Sequence, residues 1–285
     1  MSLNHAELIA IGTELLDPWH LDTNGAYLTR QLGTIGIAVR FRTVVGDDPD
    51  DLTDVFRIAL GRSDLIIATG GLGPTIDDRT RETVAALLGR PLEERAGIVA
   101  DLETRYAQIG LGLSEGARRQ ASVPRDAVVL PNRRGSAPGL LIREGKATIA
   151  LLPGVPAEMR EMVVDSLLSR LESGSTRIAY RTLLIAGLTE SEVDRRLDPV
   201  AKNAAGIGWT ILASPGQVSI HLSEPVKGGE EATRIAVTET EIRRILGDRL
   251  FAVDNETMEG VVGRLLHDSG GTLAVAESMT GGGVA

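Results

Sequence analysis

Short apolar segments alternate with amphipathic ones along the first part of the chain, and this alternation predicts its fold. Apolar or β-branched runs predict strands at Glu7–Ile11, Ile37–Val45 and Leu65–Ala68, and helical spacing of apolar residues predicts helices at Asn24–Leu32 and Pro49–Leu60. The order βαβαβ with short connections favours a parallel sheet with helices on both faces. Ligands of such sheets bind beyond the carboxyl ends of the strands.

The same criteria extend over the rest of the chain. They predict a long helix at 93–109, strands at 128–130, 140–143 and 148–152, and a helix at 157–171. After a small polar linker, Glu172–Ser175, they predict a strand at 181–186, a helix at 190–197, a hairpin of 208–212 with 217–222, a helix at 229–246, and finally a helix at 258–266 and a strand at 272–276.

This order predicts three parts: an α/β domain over 1–172, a small α/β domain of βαββα order over 173–253, and a fragment over 254–285. The first domain is expected to be a three-layer, doubly wound fold. The βαββα unit is expected to form an open sheet with helices on one face, and it holds no clear G-x-x-G loop with basic neighbours, which argues against an RNA-binding role.

The amino-acid composition of the chain limits the kinds of molecule that it is expected to bind. The 285 residues carry a formal net charge of −9 and only 3% aromatic residues, which argues against nucleic-acid binding and favours a small-molecule ligand. The chain has no cysteine, which excludes disulfides and thiolate chemistry. We find neither a secretory signal pattern nor a membrane-spanning run, and we therefore expect a cytoplasmic protein.

The strongest candidate for chemistry is the run Gly70–Thr80, which follows an apolar strand. Glycines at a strand end allow a sharp turn and bring backbone N–H groups close to an anion, and the next helix adds its positive N-terminus. Asp77 and Asp78 would repel a phosphate unless a cation lay between them, so the run predicts a metal-bridged nucleotide or pterin phosphate. A structural alternative is that Thr75 and Asp78 form a capping box for a helix over 79–88.

Two further acidic turns follow predicted strands, at Glu14 and at Asp47-Asp48. If the sheet is parallel, these turns and Asp77-Asp78 converge on one rim. Turns containing Ser136, Pro138 and Gly139, and Pro153-Gly154, also place rigid backbone at strand ends. Connector roles remain the alternative for these turns.

Several of these motifs resemble those of the CinA family of competence- and damage-inducible proteins. The resemblance rests on Gly70–Thr80, Gln120-Ala121 with Pro124, Asn132, Ser136–Gly139, Leu152–Met159 and Ser214–Gly216, and it covers essentially the whole chain. The first domain also resembles molybdopterin-binding domains of cofactor-biosynthesis enzymes. The resemblance implies hydrolysis of a nucleoside diphosphate sugar, ADP-ribose being the usual assignment, with a divalent metal ion (Mg²⁺, Mn²⁺ or Co²⁺) and K⁺ as an optional second ion.

The terminal Ala276–Gly282 resembles the opening of the family's nicotinamide-nucleotide amidase domain, in which the residue matching Ser278 is the nucleophile. Met279 departs from the family pattern, which usually has cysteine there, and most of that domain is missing from this sequence. A serine hydroxyl without an activating partner is a poor nucleophile. We therefore expect Ser278 to be a vestigial nucleophile and the chain to lack amidase activity.

The resulting hypothesis is an ADP-ribose pyrophosphatase that acts as a homodimer on a free nucleotide, without nucleic-acid or membrane partners. Asp77 and Asp78 are the expected catalytic residues, and the expected metal ligands are Glu14, Asp47, Asp77 and Asp78. The expected ligand-binding residues are Gly12, Thr13, Asn24, Gly70, Gly71, Leu72, Gly73, Pro74, Thr75, Ser136, Pro138, Gly139, Pro153 and Gly154. The alternative is a binding module or scaffold that holds a molybdopterin-like or nucleotide ligand without turnover.

Overall fold

A computed structural model describes residues 3, 5–171, 176–227 and 230–279. The chain divides into two compact units, Met1–Arg177 and Ile178–Ala285. The predicted linker Glu172–Ser175 lies outside the described residues, and the three-part division of the chain stays a prediction. No helix in the described ranges is both long and apolar enough to cross a membrane.

The first unit contains eight strands and six helices within its described residues. The strands are β1 (His5–Ile11), β2 (Ala38–Val45), β3 (Leu65–Thr69), β4 (Leu92–Glu94), β5 (Ser122–Pro124), β6 (Val128–Leu130), β7 (Gly139–Glu144) and β8 (Ala147–Leu152). The helices are α1 (Thr23–Thr34), α2 (Pro49–Arg62), α3 (Thr80–Leu87), α4 (Ala96–Gln108), α5 (Glu115–Arg119) and α6 (Pro156–Met162).

Six of these strands form one sheet in the order β2-β1-β3-β8-β7-β6. Strands β2, β1, β3 and β8 are parallel, whereas β7 and β6 continue the sheet by antiparallel pairing. One core lies between the sheet and α1 with α6, and a second core lies on the other face beneath α2 and α3. This is the expected three-layer, doubly wound arrangement, and its strand order reverses at β1 and β3, where ligands of such folds bind.

Helix starts are fixed locally where the sequence offers a cap. Asp22 accepts a hydrogen bond from the Gly25 N–H at the start of α1, and Asp48 caps α2 with Pro49 in its first turn. Pro156 similarly occupies the first turn of α6. Because β1, β2 and β8 run parallel, the turns that lead from them into these helices lie at the same edge of the sheet.

Two predicted helices of this unit differ from the structure. The predicted helix over 93–109 begins only at Ala96, because Leu92–Glu94 pairs with Ser122–Pro124 as a two-stranded sheet. The predicted helix over 157–171 keeps α-helical geometry only to Met162 and continues as a π-helical turn, Val163–Leu167, and a short 3₁₀ turn. Two adjacent β-branched valines open that wider turn, and such residues crowd an α-helix.

The capping-box alternative for Thr75 and Asp78 is wrong. Helix α3 begins at Thr80 and is preceded by Arg79, with no side-chain cap, so Thr75 and Asp78 both lie in the loop before the helix. They bond to each other there rather than to a helix terminus. Their role is therefore to shape the loop.

The second unit has four strands in the order β10-β11-β9-β12, all antiparallel where their pairing is described. Its elements are β9 (Thr176–Ala186), α7 (Glu190–Asn203), β10 (Gly208–Ser214), β11 (Gln217–Lys227), α8 (Thr233–Leu246), β12 (Leu250–Val253) and α9 (Met258–Asp268). The predicted βαββα order is confirmed, and β12 adds a strand that pairs with β9. The core contains side chains of α7, α8 and the strands.

The predicted strand at 272–276 is wrong. Residues 271–279 have no regular secondary structure, and Leu273 and Val275 are exposed. An apolar run forms a strand only when a neighbouring strand accepts its backbone hydrogen bonds, and none of the described residues does so here. The preceding helix α9 exists as predicted but has no buried residue.

Candidate functional site

A pocket of about 530 Å³ lies at the carboxyl edge of the six-stranded sheet. The turns that follow β1, β2, β3 and β8 all contribute to it. It is lined by Ile11, Gly12, Glu14, Asp47, Gly70, Gly71, Leu72, Gly73, Pro74, Asp77, Asp78, Gln120, Ser136, Ala137, Pro153, Gly154, Val155 and Glu158. The three acidic turns thus meet at one pocket, as the parallel topology predicts.

The loop after β3, residues 70–78, is called the glycine loop below. Gly70 and Gly71 have φ angles of +110° and +65°, which favour glycine. A Cβ built on Gly70 would overlap the Ile11 carbonyl oxygen, and one built on Gly71 would overlap the Thr80 hydroxyl. The first two glycines are therefore required by backbone conformation and by close packing against β1 and α3.

Four carbonyl groups of the glycine loop accept hydrogen bonds from residues that pack against the loop. Thr80 donates from its hydroxyl to Gly70 O at 3.0 Å and from its N–H to Gly71 O at 3.2 Å. The Leu72 carbonyl accepts from Gln120 Nε2 at 3.2 Å and from the buried Arg81 guanidinium. Arg119 Nη2 donates to Thr75 O at 2.7 Å. The loop is thus fixed through its acceptors.

The donors of the same loop are free at its centre. Within the described part of the chain, the N–H groups of Gly71, Leu72 and Gly73 have no hydrogen-bond acceptor. The Thr75 N–H, in contrast, donates to Asp78 Oδ2 at 2.8 Å, and Pro74 has no N–H. Three backbone donors of the expected anion site are therefore unoccupied, whereas the Thr75 N–H already has an acceptor.

Asp77 and Asp78 are oriented by Thr75. The Thr75 hydroxyl lies within hydrogen-bond distance of Asp77 Oδ1 and of Asp78 Oδ2. The hydrogen bond from Thr75 lowers the pKa of Asp77 below its ordinary value. Asp77 is therefore a carboxylate at neutral pH, and Asp78 keeps its Oδ1 available.

The turn after β2 is built in the same way. Asp47 Oδ2 accepts from both the N–H and the hydroxyl of Thr13 at 2.8 Å, which joins the turns after β1 and β2. Glu14 lies beside Gly12, where a Cβ would overlap its carboxylate. The turn after β8 packs directly on the glycine loop, since the Gly70 N–H donates to Leu152 O at 3.0 Å.

Not every expected site residue lines the pocket. Asn24, Pro138 and Gly139 are buried behind the lining, and Asn24 Nδ2 donates to Gly154 O at 2.7 Å. Thr13 and Thr75 are exposed and hold the acidic side chains described above. These positions support the pocket in the structure, and their contact with a ligand stays a prediction.

The expected metal ligands share the pocket without forming a cage. Among the residues that the structure describes, no group of three or more histidine, cysteine, aspartate or glutamate side chains could hold a metal ion. Asp47 and Asp78 each use one carboxylate oxygen for a threonine and keep the other. Mg²⁺ commonly takes only one or two protein carboxylates together with phosphate oxygens and water. The donor set therefore fits an ion that arrives with a diphosphate.

Sequence reasoning missed two polar residues of the lining, Gln120 and Glu158. Both lie within motifs quoted above, but neither was an expected site residue. Gln120 is fully buried at the end of α5, a helix too short to show a clear period. Glu158 lies in the first turn of α6, immediately after the Pro153-Gly154 turn. That position beside a strand-end turn is the signal that could have identified it.

The expected vestigial nucleophile belongs to the second unit and is not among the residues that line this pocket. Ser278 is exposed in the irregular segment that follows α9, and Met279 beside it is 97% exposed. Gly281 and Gly282 of the same motif lie outside the described residues. The absence of amidase activity stays a prediction.

Each of the two units matches a known protein family. Residues 7–173 match the family model of a probable molybdopterin binding domain, and residues 180–252 match that of the damage-inducible protein CinA KH domain. A putative competence-damage inducible protein of Symbiobacterium thermophilum is 44% identical over 98% of this chain and 67% of its own length. A CinA-like protein of Solibacter usitatus is 41% identical over 97% of this chain and 67% of its own length.

A solved structure agrees with these relatives. The crystal structure of the protein CinA from Thermoplasma acidophilum, whose function is described as unknown, is 35% identical, with a TM-score of 0.54 over 57% of this chain and 95% of that one. The chain itself spans about two thirds of the length of the two relatives. The matches to both units, together with these identities, show that the chain belongs to the CinA family.

Proposed function

We propose that the first unit binds a nucleoside diphosphate sugar, ADP-ribose in the leading case, and hydrolyses its diphosphate with a divalent metal ion. The observation that carries the proposal is the glycine loop: the carbonyls of Gly70, Gly71, Leu72 and Thr75 accept hydrogen bonds, while the N–H groups of Gly71, Leu72 and Gly73 have no acceptor among the described residues. Free backbone donors at a strand end, followed by a helix, are a common phosphate site.

The acidic side chains explain why a cation is part of the proposal. Glu14, Asp47, Asp77 and Asp78 line the same pocket as the free donors, and unscreened carboxylates would repel a diphosphate. We propose that Asp47 and Asp78, through their unused oxygens, hold the ion together with phosphate oxygens and water, while Asp77 and Glu14 add negative charge to the same pocket. When bound, it would neutralise phosphate charge and polarise the phosphorus.

A second candidate is supported by the absence of a preformed metal cage among the described residues. In that case the unit binds a nucleotide or molybdopterin-like ligand and does not turn it over. The match to a probable molybdopterin binding domain agrees with this alternative. Both candidates use the same pocket, and they differ in whether products form.

Phosphorus NMR separates the candidates. The protein is incubated with ADP-ribose and Mg²⁺, Mn²⁺ or Co²⁺, with and without K⁺, and the expected result is replacement of the diphosphate signals by two phosphomonoester signals. EDTA and the Asp77→Asn variant should abolish this change, whereas Asp54→Asn should not, because Asp54 is an exposed acid on α2 that pairs with Arg57. Binding without products would support the second candidate, and neither binding nor products would contradict both.

A further inference from the structure

Glu158 differs from the other carboxylates of the pocket. Asp47, Asp77 and Asp78 each accept hydrogen bonds from a threonine in the turns after β1 and β3. Glu158, in contrast, is contributed by the first turn of α6, and its carboxylate is bonded by a side chain from a different part of the chain. Its orientation is therefore set independently of the acidic turns.

That side chain is Asn132, which is only 7% exposed. Its Nδ2 donates to Glu158 Oε2 at 2.7 Å and to Ala137 O at 2.8 Å. Its Oδ1 accepts from the N–H groups of Arg134 and Gly135 at 3.0 and 2.8 Å. All four bonds require the same amide orientation, so Asn132 presents a fixed donor to Glu158 and leaves Glu158 Oε1 without that constraint.

The backbone around Asn132 is fixed in turn. Arg105 of α4 donates to Asn132 O at 2.8 Å and to Gly135 O at 3.0 Å, and Asp101 holds the same guanidinium at 2.8 Å. Gly135 also provides space, because a Cβ at that position would overlap both carboxylate oxygens of Glu158. The loop is thus shaped to receive this carboxylate and to fix one of its oxygens.

We propose that Glu158 is the general base of diphosphate hydrolysis and that Asn132 is its positioning residue. The inference rests on the proposed hydrolytic function. Glu158 Oε1 takes a proton from a water molecule while the water oxygen forms a bond to one phosphorus. The bridging P–O bond breaks, and its electron pair leaves on the other phosphate. The products are two phosphomonoesters, and the proton on Glu158 returns to solvent.

The remaining carboxylates are less suited to this role. Asp77 accepts a hydrogen bond from the Thr75 hydroxyl through Oδ1 and is itself an expected metal ligand. Asp47 and Asp78 are committed through one oxygen to their threonines and are proposed to hold the metal ion. Glu14 is exposed, and its carboxylate has no hydrogen-bond partner in the described part of the chain. Many active sites contain a general base that is held in position by a hydrogen bond from another side chain. Asn132 provides that hydrogen bond to Glu158.

The test compares Glu158→Gln with wild type in ADP-ribose turnover and in calorimetric binding. Glutamine keeps the shape and an acceptor for Asn132 but cannot take the proton. We expect kcat to fall about 100-fold or more, the usual share of a general base, while Kd is unchanged. Glu158→Asp should recover part of the loss. Arg133→Ala is the matched control, because this exposed residue of the same loop pairs only with Asp165 among the described residues.

A double-mutant cycle tests Asn132 as the positioning residue. Asn132→Ala should lower kcat in the wild-type background and have no further effect in the Glu158→Gln background, since it acts through Glu158. Equal losses in both backgrounds would contradict the positioning role. Turnover by Glu158→Gln at the wild-type rate would show that Glu158 is not the general base, while leaving the proposed function intact. A wild-type protein that forms no products would overturn the proposed function, and with it the base.

Discussion

Two turns of this chain have similar residues at strand ends but very different surroundings. The glycine loop follows β3, and the turn Ser214–Gly216 joins β10 to β11. In the loop, a Cβ on Gly70 or Gly71 would overlap neighbouring atoms, and four carbonyls are held by residues of α3 and α5. In the hairpin, Gly216 has a φ of +79°, but a Cβ there would meet nothing within 4 Å.

The comparison shows that glycine and proline alone do not identify a binding site. In the hairpin, proline and glycine satisfy the local geometry of a tight turn, and the connection needs nothing else. In the loop, the same residue types allow close packing that uses four carbonyls and leaves three N–H groups without an acceptor among the described residues. What distinguishes a site from a connector is therefore the set of tertiary contacts around the turn.

The largest expected effect is on folding of the first unit. Gly70→Ala places a Cβ on the Ile11 carbonyl at a φ of +110°, and we expect a loss of about 2–5 kcal/mol in the free energy of unfolding from strain and overpacking. Gly216→Ala has only the conformational cost of positive φ, about 1 kcal/mol. Urea denaturation of both variants measures the difference. Equal losses would mean that the loop is no more constrained than the hairpin.

The second expected effect separates the two roles of Asp78 in the loop. Asp78→Ala removes the acceptor for the Thr75 N–H, and we expect a loss of about 1 kcal/mol in stability together with loss of turnover. Asp78→Asn keeps an acceptor oxygen but loses the charge, and we expect wild-type stability with no turnover. Thermal melts and the phosphorus NMR assay measure both. Full activity in Asp78→Asn would mean that Asp78 only stabilises the loop and is not needed for catalysis.

The smallest expected effect is a change in titration. Because the hydrogen bond from Thr75 lowers the pKa of Asp77 in the folded state, its stabilising contribution is present above the ordinary aspartate range. That contribution is lost as the pH falls through the lowered pKa. Thr75→Val should raise the pKa of Asp77 towards its ordinary value, which carboxyl-carbon NMR can follow. An unchanged pKa in the variant would show that another donor sets it.

The strands and helices that the sequence predicted best are those with a strong period and a local stop signal. Strands β1 and β3 and the start of α2 follow from apolar runs and from the Asp48-Pro49 cap. The short elements β4, β5 and α5 were missed because each is too short to show a clear amphipathic period. The false strand at 272–276 shows the opposite error, since apolar character alone does not supply a pairing partner.

The sequence was enough to predict which turns form the site, but not the hydrogen bonds and backbone angles within those turns. Parallel topology was enough to bring Glu14, Asp47, Asp77 and Asp78 to one pocket. It could not show that the Thr75 N–H is occupied or that Gly73 lacks a positive φ, because both depend on how Asp78 folds back on the loop. Nor could it identify Glu158, whose orientation depends on Asn132, 26 residues earlier in the chain.

The central claim is that the free N–H groups of the glycine loop bind a diphosphate, and Gly73→Val tests it most directly. The three atoms nearest to a Cβ at Gly73 all belong to the Asp78 side chain, at 2.5 Å from Oδ2, and the φ of Gly73 is not positive, so the variant displaces Asp78 and should lose no more stability than Asp78→Ala does. Asp78→Ala, titrated in parallel, measures the part of any loss of affinity that comes from displacing Asp78. Calorimetric titration with ADP-ribose and Mg²⁺ should show at least about tenfold weaker binding, as expected for loss of a charge-assisted hydrogen bond. Gly61→Val, at an open position on α2, should bind as wild type does. Unchanged affinity in Gly73→Val would contradict the claim.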